Sequence, residues 1–285
     1  MKVFLGTAQF GFDYGVTNTK GQILEKEAFE LLDFSLDKGI KCLDTAYAYG
    51  ESEKVLGRYG VSEFEISTKL PPLKNYKNLT KHEIINLFYE SLNRLNVEKI
   101  QNLFIHDSSD LNKHNRDSVI EALSEIKDSG LVNSIGVSIY GPDDIFSFAE
   151  IDIIDIIQTP LNVLDNRILN DEYMSIISSN NIKLQARSIY LQGLLLQQPE
   201  SITKHFIEHK NVFIDWHNYI EKIKITKLEG CINYLRSIKD LHSIVVGVTS
   251  ISEFKELNSA LSSQIRQIHF ETEIKNDLID PRTWT

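Results

Sequence analysis

What most constrains the fold of this 285-residue chain is an end-to-end alternation of short β-branched runs with amphipathic stretches of helical period. Eight runs read as strands, at 3–8, 41–45, 64–69, 100–106, 134–138, 154–160, 182–187 and 244–248. Helical patterns follow them at 25–38, 52–59, 81–95, 117–129, 142–149, 171–179, 213–238 and 252–261. Such alternation predicts parallel strands joined by crossover helices. Local punctuation agrees. Asp117 stands as a start signal before Ile120, Leu123 and Ile126, Lys127 and Gly130 mark the stop, and Thr80 with Glu83 forms a capping-box pair.

Eight strand–helix pairs over about 250 residues fit a (β/α)8 TIM barrel. No Pro/Gly/Ser-rich linker and no low-complexity tract divides the series, so residues 1–285 are expected to form a single domain. A doubly wound open sheet would carry G-x-G-x-x-G in a tight turn after its first strand. Here the turn reads Gly6-Thr7-Ala8-Gln9-Phe10-Gly11, and the loop at 9–24 is longer than that motif tolerates.

Composition removes several function classes. Hydrophobic residues at 42% and charged residues at 25% supply a large core. A formal net charge of -10 repels nucleic acid and anionic lipid. The apolar run at 151–157 is broken by Asp152 and Asp155, far short of the roughly 18 residues of a membrane span. Residues 1–5 are followed by 6–13 where a signal peptide would stay apolar. Cys42 and Cys231 form no framework or metal-type pair, which points to the reducing cytoplasm.

Barrel active sites lie at the C-terminal ends of the strands. In this chain those places hold Asp44, Lys69, His106, Ser138, Gln158 and Arg187-Ser188, with Tyr49 five residues beyond Asp44. A lysine enclosed by the barrel wall needs a counter-charge, and Asp44 is one strand away. The phenol of Tyr49, ordinarily titrating near a pKa of about 10, should be pulled down by that ammonium. Together with His106 these groups suit proton donation to an alkoxide as a carbonyl is reduced. None can supply a hydride, so a redox cofactor is implied, and Ser138 and Gln158 are of the right kind to bind a carboxamide.

At this point the chain resembles the aldo-keto reductases. The likeness rests on Leu43-Asp44-Thr45-Ala46, Tyr49-Gly50-Glu51-Ser52-Glu53, Leu56-Gly57, Ser67-Thr68-Lys69, Ile105-His106, Ile135-Gly136-Val137-Ser138, Gln158 with Asn162, and Gln192-Gly193-Leu194-Leu195, in order over nearly the whole chain. It implies NAD(P)H as cofactor, NADPH being usual in the family. Tyr49 would be the general acid, Lys69 and Asp44 its tuning pair, and His106 the residue that orients substrate. It also implies cofactor contacts from Gly6 and Thr7, from Ser138 and Gln158, from Ser188, Tyr190 and Gly193 over the pyrophosphate, and from Gly247, Thr249 and Ser250 at the adenosine end.

Two departures stand out. Where many members stack an aromatic ring on the nicotinamide, this chain has Arg187, whose charge should penalise the cationic oxidised ring by up to about 4 kcal/mol for charges about 4 Å apart. Where many place an arginine for the 2'-phosphate, it has Glu253, which makes NADH plausible. The partner expected is a small carbonyl compound, a sugar among the possibilities, and the protein itself a monomer or loose dimer.

The same residues admit other readings. Asp44 and Lys69 taken alone read as a structural ion pair, His106 alone as a satisfied strand-end histidine, and Arg187 as the partner of a nearby carboxylate. An NAD(H)-binding sensor of the same fold with little turnover is the alternative function. A metal-dependent hydrolase is disfavoured by the scarcity of ligands, and no metal site is expected. His205 and His209 have zinc-like spacing but no third ligand, so a solvated segment is expected there. Phe10, Phe12, Tyr14, Tyr47 and Trp216 are candidates for a substrate cleft.

Overall fold

A computed structural model describes residues 1–76, 79–112, 116–148 and 150–284. Among the described residues, eight parallel strands close into one barrel in the order of the chain. They are β1 (Lys2–Gly6), β2 (Cys42–Asp44), β3 (Glu65–Lys69), β4 (Ile100–Ile105), β5 (Val132–Ser138), β6 (Ile154–Pro160), β7 (Lys183–Arg187) and β8 (Leu241–Gly247). Closure comes from β1, which pairs with β2 on one side and β8 on the other. The helices are α1 (Ala8–Gly11), α2 (Glu25–Asp37), α3 (Ser52–Tyr59), α4 (Lys81–Leu95), α5 (Arg116–Asp128), α6 (Asp171–Ser179), α7 (Lys210–Ile223), α8 (Lys227–Arg236), α9 (Ile251–Ser262) and α10 (Asn276–Ile279).

Three expectations change. The stretch expected as a helix at 142–149 is a 3-10 segment, Pro142–Ser147, ended where Phe148 leaves helical geometry; Ala149 lies outside the described residues. The helix expected at 213–238 is two, because Lys224 turns left-handed at φ 56° and Thr226 starts a new capping box with Glu229. Asp117 sits inside the first turn of α5, not ahead of it, and the position before that helix lies outside the described residues. The Thr80–Glu83 capping box forms as expected.

Outward-facing strand residues such as Leu43, Leu103, Ile135 and Ile157 are fully buried beneath the helices. The barrel lumen is different. It carries a hydrogen-bonded polar belt, with Asn102 Nδ2 donating to Ser67 Oγ at 2.7 Å and Gln185 Nε2 to Ser243 Oγ at 3.0 Å. Buried amides and hydroxyls are tolerable only when satisfied in this way. A second apolar cluster, including Leu191, Leu195, Phe213, Trp216 and Leu278, lies under the loop after β7. Trp216 Nε1 donates to the Leu195 carbonyl at 3.0 Å and so ties that loop down.

Two devices, one of side chains and one of backbone, aim the segment that carries Tyr49. Buried Glu53 on α3 accepts from Arg94 at 2.7 Å and from Thr68 Oγ1 at 2.5 Å, joining α3 to α4 and β3. On the other side, α1 packs so closely that a Cβ on Gly11 would fall 1.6 Å from the Tyr49 carbonyl oxygen. Gly11→Ala must therefore displace the 49–52 turn. We expect a stability loss of about 2 kcal/mol or more, on the scale of overpacked sites, read by urea unfolding; a variant as stable as wild type would contradict this packing.

Candidate active site

Lys69, the last residue of β3, is 1% exposed. Its Nζ donates to Asp44 Oδ1 at 2.7 Å and to the Thr45 carbonyl at 3.0 Å. An ammonium taken out of water without such partners would cost several kcal/mol. Burial still pulls the Lys69 pKa below its ordinary value, with Asp44 opposing. The other carboxylate oxygen, Asp44 Oδ2, accepts from Gln158 Nε2 at 2.7 Å, and the same nitrogen donates to Gln185 Oε1 at 2.8 Å. Because a carboxylate only accepts, the nitrogen of the Gln158 amide must face Asp44. Its Oε1 is left buried and without a partner.

Tyr49 stands over this pair, its ring centroid 5.2 Å from Lys69 Nζ. His106 meets it edge-on at 5.9 Å between centroids, and Phe12 lies 6.0 Å away. Burial raises the Tyr49 phenol well above its ordinary value, and the Asp44 carboxylate pushes the same way while Arg187 opposes. The expected depression by Lys69 does not occur. That ammonium is matched by Asp44 at 2.7 Å, and the loss of water outweighs what remains of its field. His106 is driven down to about 3 by burial, with Lys69 and Arg187 acting in the same direction. It is a neutral imidazole at physiological pH.

A cavity of about 420 Å³ opens at these strand ends, within the size range of small-ligand sites. Gly6, Thr7, Asp44, Tyr49, Gln158, Arg187, Ser188, Tyr190, Gly193, Gly247, Thr249 and Glu253 all line it. Lys69 lies behind Asp44, and His106 lies beside Tyr49. Two expected contacts fall outside the lining. Ser138 is buried next to Gln158 in the β5–β6 register, and the Ser250 hydroxyl is used as the cap of α9, accepting from Glu253 N at 3.3 Å. Both carboxylate oxygens of Glu253 accept from Thr249, its N at 2.7 Å and its Oγ1 at 2.9 and 3.0 Å.

Arg187 has no carboxylate partner among the described residues, contrary to the ion-pair reading. Its Nη2 donates to the Ile139 carbonyl at 3.0 Å, and its guanidinium lies 4.4 Å from the centre of the Tyr140 ring. The following loop is strained. Ser188, Leu191, Gln192 and Gly193 all have positive φ, and buried Leu191 anchors the turn in the second apolar cluster. Only glycine fits at 193, where a Cβ would fall 2.0 Å from Thr17 Oγ1. Thr17 donates to the Gln192 carbonyl at 2.9 Å, so the loop after β1 crosses the cavity here.

These features agree with a comparison of the whole chain. The model of the Aldo/keto reductase family matches residues 2–272. The chain belongs to the aldo/keto reductase family. It is 24% identical over 254 residues to an uncharacterized oxidoreductase, YqkF, of Bacillus subtilis, covering 81% of each chain. It is 24% identical over 262 residues to the NADH-specific methylglyoxal reductase of Escherichia coli, covering 79% of each. Among solved structures, the holo form of aldo-keto reductase AKR11C1 from Bacillus halodurans superposes with a TM-score of 0.76 at 20% identity, over 93% of this chain and 88% of that one. Aldo-keto reductases use nicotinamide cofactors, and the chain is accordingly an oxidoreductase of the carbonyl-reducing type.

Sequence reasoning missed Gln9, Thr17 and Lys20, which reach this reductase's cavity from the loop after β1. The unusual length of that loop was the available signal. Of the candidate aromatics, Phe12 and Tyr14 belong to the mouth, at 5.6 Å from each other. Phe10 and Trp216 are core residues at 1% exposure, and Tyr47 stacks on Arg94 at 3.9 Å. His209 is buried, not solvated, with Nε2 3.5 Å from Asp277, and the described residues contain no group of three metal-ligating side chains. Nor is any described helix long and apolar enough to cross a membrane.

The neutral state of His106 makes stability pH-dependent. Unfolded histidine takes up a proton below about 6.5, whereas the native ring resists down to about 3, so stability is full above 6.5 and is lost as pH falls below it. Urea unfolding at pH 7.5 and 5.0 should show His106→Gln losing less than wild type by on the order of 1 to 2 kcal/mol. Equal losses would refute the assignment.

Proposed function

We propose that the protein is an NAD(P)H-dependent carbonyl reductase in which Tyr49 is the proton donor. One observation carries the reading: a phenol held protonated stands at the cavity wall over a buried Lys69–Asp44 pair, 5.2 Å from its ammonium. A bound nicotinamide cofactor supplies the hydride. The unpartnered, buried Oε1 of Gln158 fits the amide N–H of such a cofactor, and the left-handed turn at Gly193 brings backbone close to the same cavity. As charge develops on the carbonyl oxygen, the Tyr49 hydroxyl gives up its proton. Lys69 faces the phenolate left behind, and neutral His106 donates a hydrogen bond that orients the oxygen.

Cofactor preference follows from charge. Glu253 and Glu256 line the cavity together with one exposed cation, Lys20, and no arginine from α9 does so among the described residues. That composition favours NADH over NADPH. Arg187 puts a fixed positive charge on the wall near Tyr49, which disfavours an oxidised, cationic nicotinamide and biases the site toward reduction.

Fluorescence titrations with NADH and NADPH followed by a carbonyl panel test the reading. Tyr49→Phe should lower kcat by about 10²-fold or more while NADH affinity stays within about 3-fold. Wild-type kcat should show no fall from pH 6 to 9, since the phenol keeps its proton there. Binding without Tyr49-dependent turnover would replace the enzyme by a cofactor sensor, and a strong NADPH preference would contradict the charge argument. In a separate titration of both redox forms, Arg187→Ala should narrow the affinity gap between reduced and oxidised cofactor; an unchanged ratio removes the bias.

A further inference from the structure

Among the described residues, several cations near the mouth are matched by carboxylates, whereas two that line the cavity, exposed Lys20 and half-buried Arg187, have no ion pair. Lys69 pairs with Asp44 at 2.7 Å, Lys74 with Asp107 at 3.0 Å, Arg167 with Asp165 at 2.8 Å and Arg282 with Asp280 at 2.6 Å. Among the described residues, Arg187 meets only neutral groups: the Ile139 carbonyl, the Ser188 hydroxyl at 3.3 Å and the face of Tyr140. Its guanidinium has more N–H donors than these partners use. Tyr140 also contacts Arg282, 5.0 Å from its centroid, so the C-terminal tail helps to fix the ring against which Arg187 rests.

Arg187 is half-buried and lines the cavity that holds Tyr49. Its field reaches Tyr14, Tyr49 and His106, displacing each toward the state with less positive charge. A half-buried cation with free donors is incomplete until an anion arrives, and a planar fork suits carboxylate or phosphate. The nicotinamide ring brings no negative charge in either redox form. With a net charge of -10, the protein as a whole does not attract anions, so selection must be local.

We propose that the carbonyl substrate of this protein carries an anionic group, carboxylate or phosphate, and that Arg187 binds it beside Tyr49. The proposal rests on the reductase reading above and adds the substrate class. It turns the missing aromatic ring at the end of β7 into a specificity determinant: the site selects acidic carbonyl compounds over neutral ones of equal size.

Matched pairs test it at saturating NADH: succinic semialdehyde against butanal for carboxylate, and glyceraldehyde 3-phosphate against glyceraldehyde for phosphate. In wild type one anionic member should exceed its neutral partner in kcat/KM by about 10-fold or more, and the pair that shows it names the anion. The ratio should fall toward unity in Arg187→Gln, survive in part in Arg187→Lys, and shrink with added salt. Neutral compounds preferred in both pairs, or a ratio indifferent to Arg187, overturns the proposal.

A second readout needs no turnover. Acetate and inorganic phosphate, titrated against the fluorescence of enzyme-bound NADH, should bind wild type about 10-fold more tightly than Arg187→Gln; equal binding also overturns the anion site. The two readings fail separately. Tyr49-dependent reduction without charge preference sinks only the anion site, whereas Arg187-dependent anion binding without any turnover sinks only the reductase.

Discussion

The structure of the barrel mouth follows from the burial of a single ammonium group. Lys69 at 1% exposure requires a carboxylate within contact distance, and Asp44 on the adjacent strand supplies it at 2.7 Å. The second oxygen of that carboxylate then dictates the orientation of Gln158, whose amide passes the constraint to Gln185 and through it to Ser243. One desolvated charge thus orders a polar chain from β2 and β3 through β6 and β7 to β8. A lumen filled only with Val, Ile and Leu would pack as well but would leave no oriented, unpartnered amide oxygen among the residues at the cavity.

The same pair explains why the phenol above it is not acidic. Charge already neutralised at close range has little left to offer a third group, so loss of water controls the Tyr49 phenol and keeps its proton in place. In the proposed reductase, such a phenol would release its proton only against an oxygen that is becoming basic, which suits the reductive direction. Arg187, at the end of β7, adds a second electrostatic asymmetry beside the same phenol, one that no carboxylate among the described residues cancels.

Much of this was legible in the residues. The period of the apolar pattern located every strand to within a few positions, because burial on both faces of a parallel sheet leaves near-continuous apolar runs. Asp44, Tyr49, Lys69 and His106 could be singled out because charged and hydrogen-bonding side chains at strand ends contradict the apolar pattern before them. Failures occurred where a local signal had two outcomes. Pro142 begins a helix or a 3-10 turn equally well, and the apolar period across 213–238 continues through a left-handed residue at Lys224 that pattern alone does not reveal. Phe10 and Phe12 differ by two positions, one inside α1 and the other just past its end, yet one is core and the other faces Tyr49.

By itself the sequence determined the eightfold alternation, the acidic overall charge and the identity of the groups at the strand ends, since these depend on residue type and spacing along the chain. Only the tertiary structure decided what those groups do to one another. Which carboxylate meets the ammonium, which amide atom is left without a partner, how far a phenol is stripped of water and whether an arginine finds a counter-ion all depend on distances across the barrel. Electrostatic and desolvation energies vary with such distances, between residues far apart in the chain.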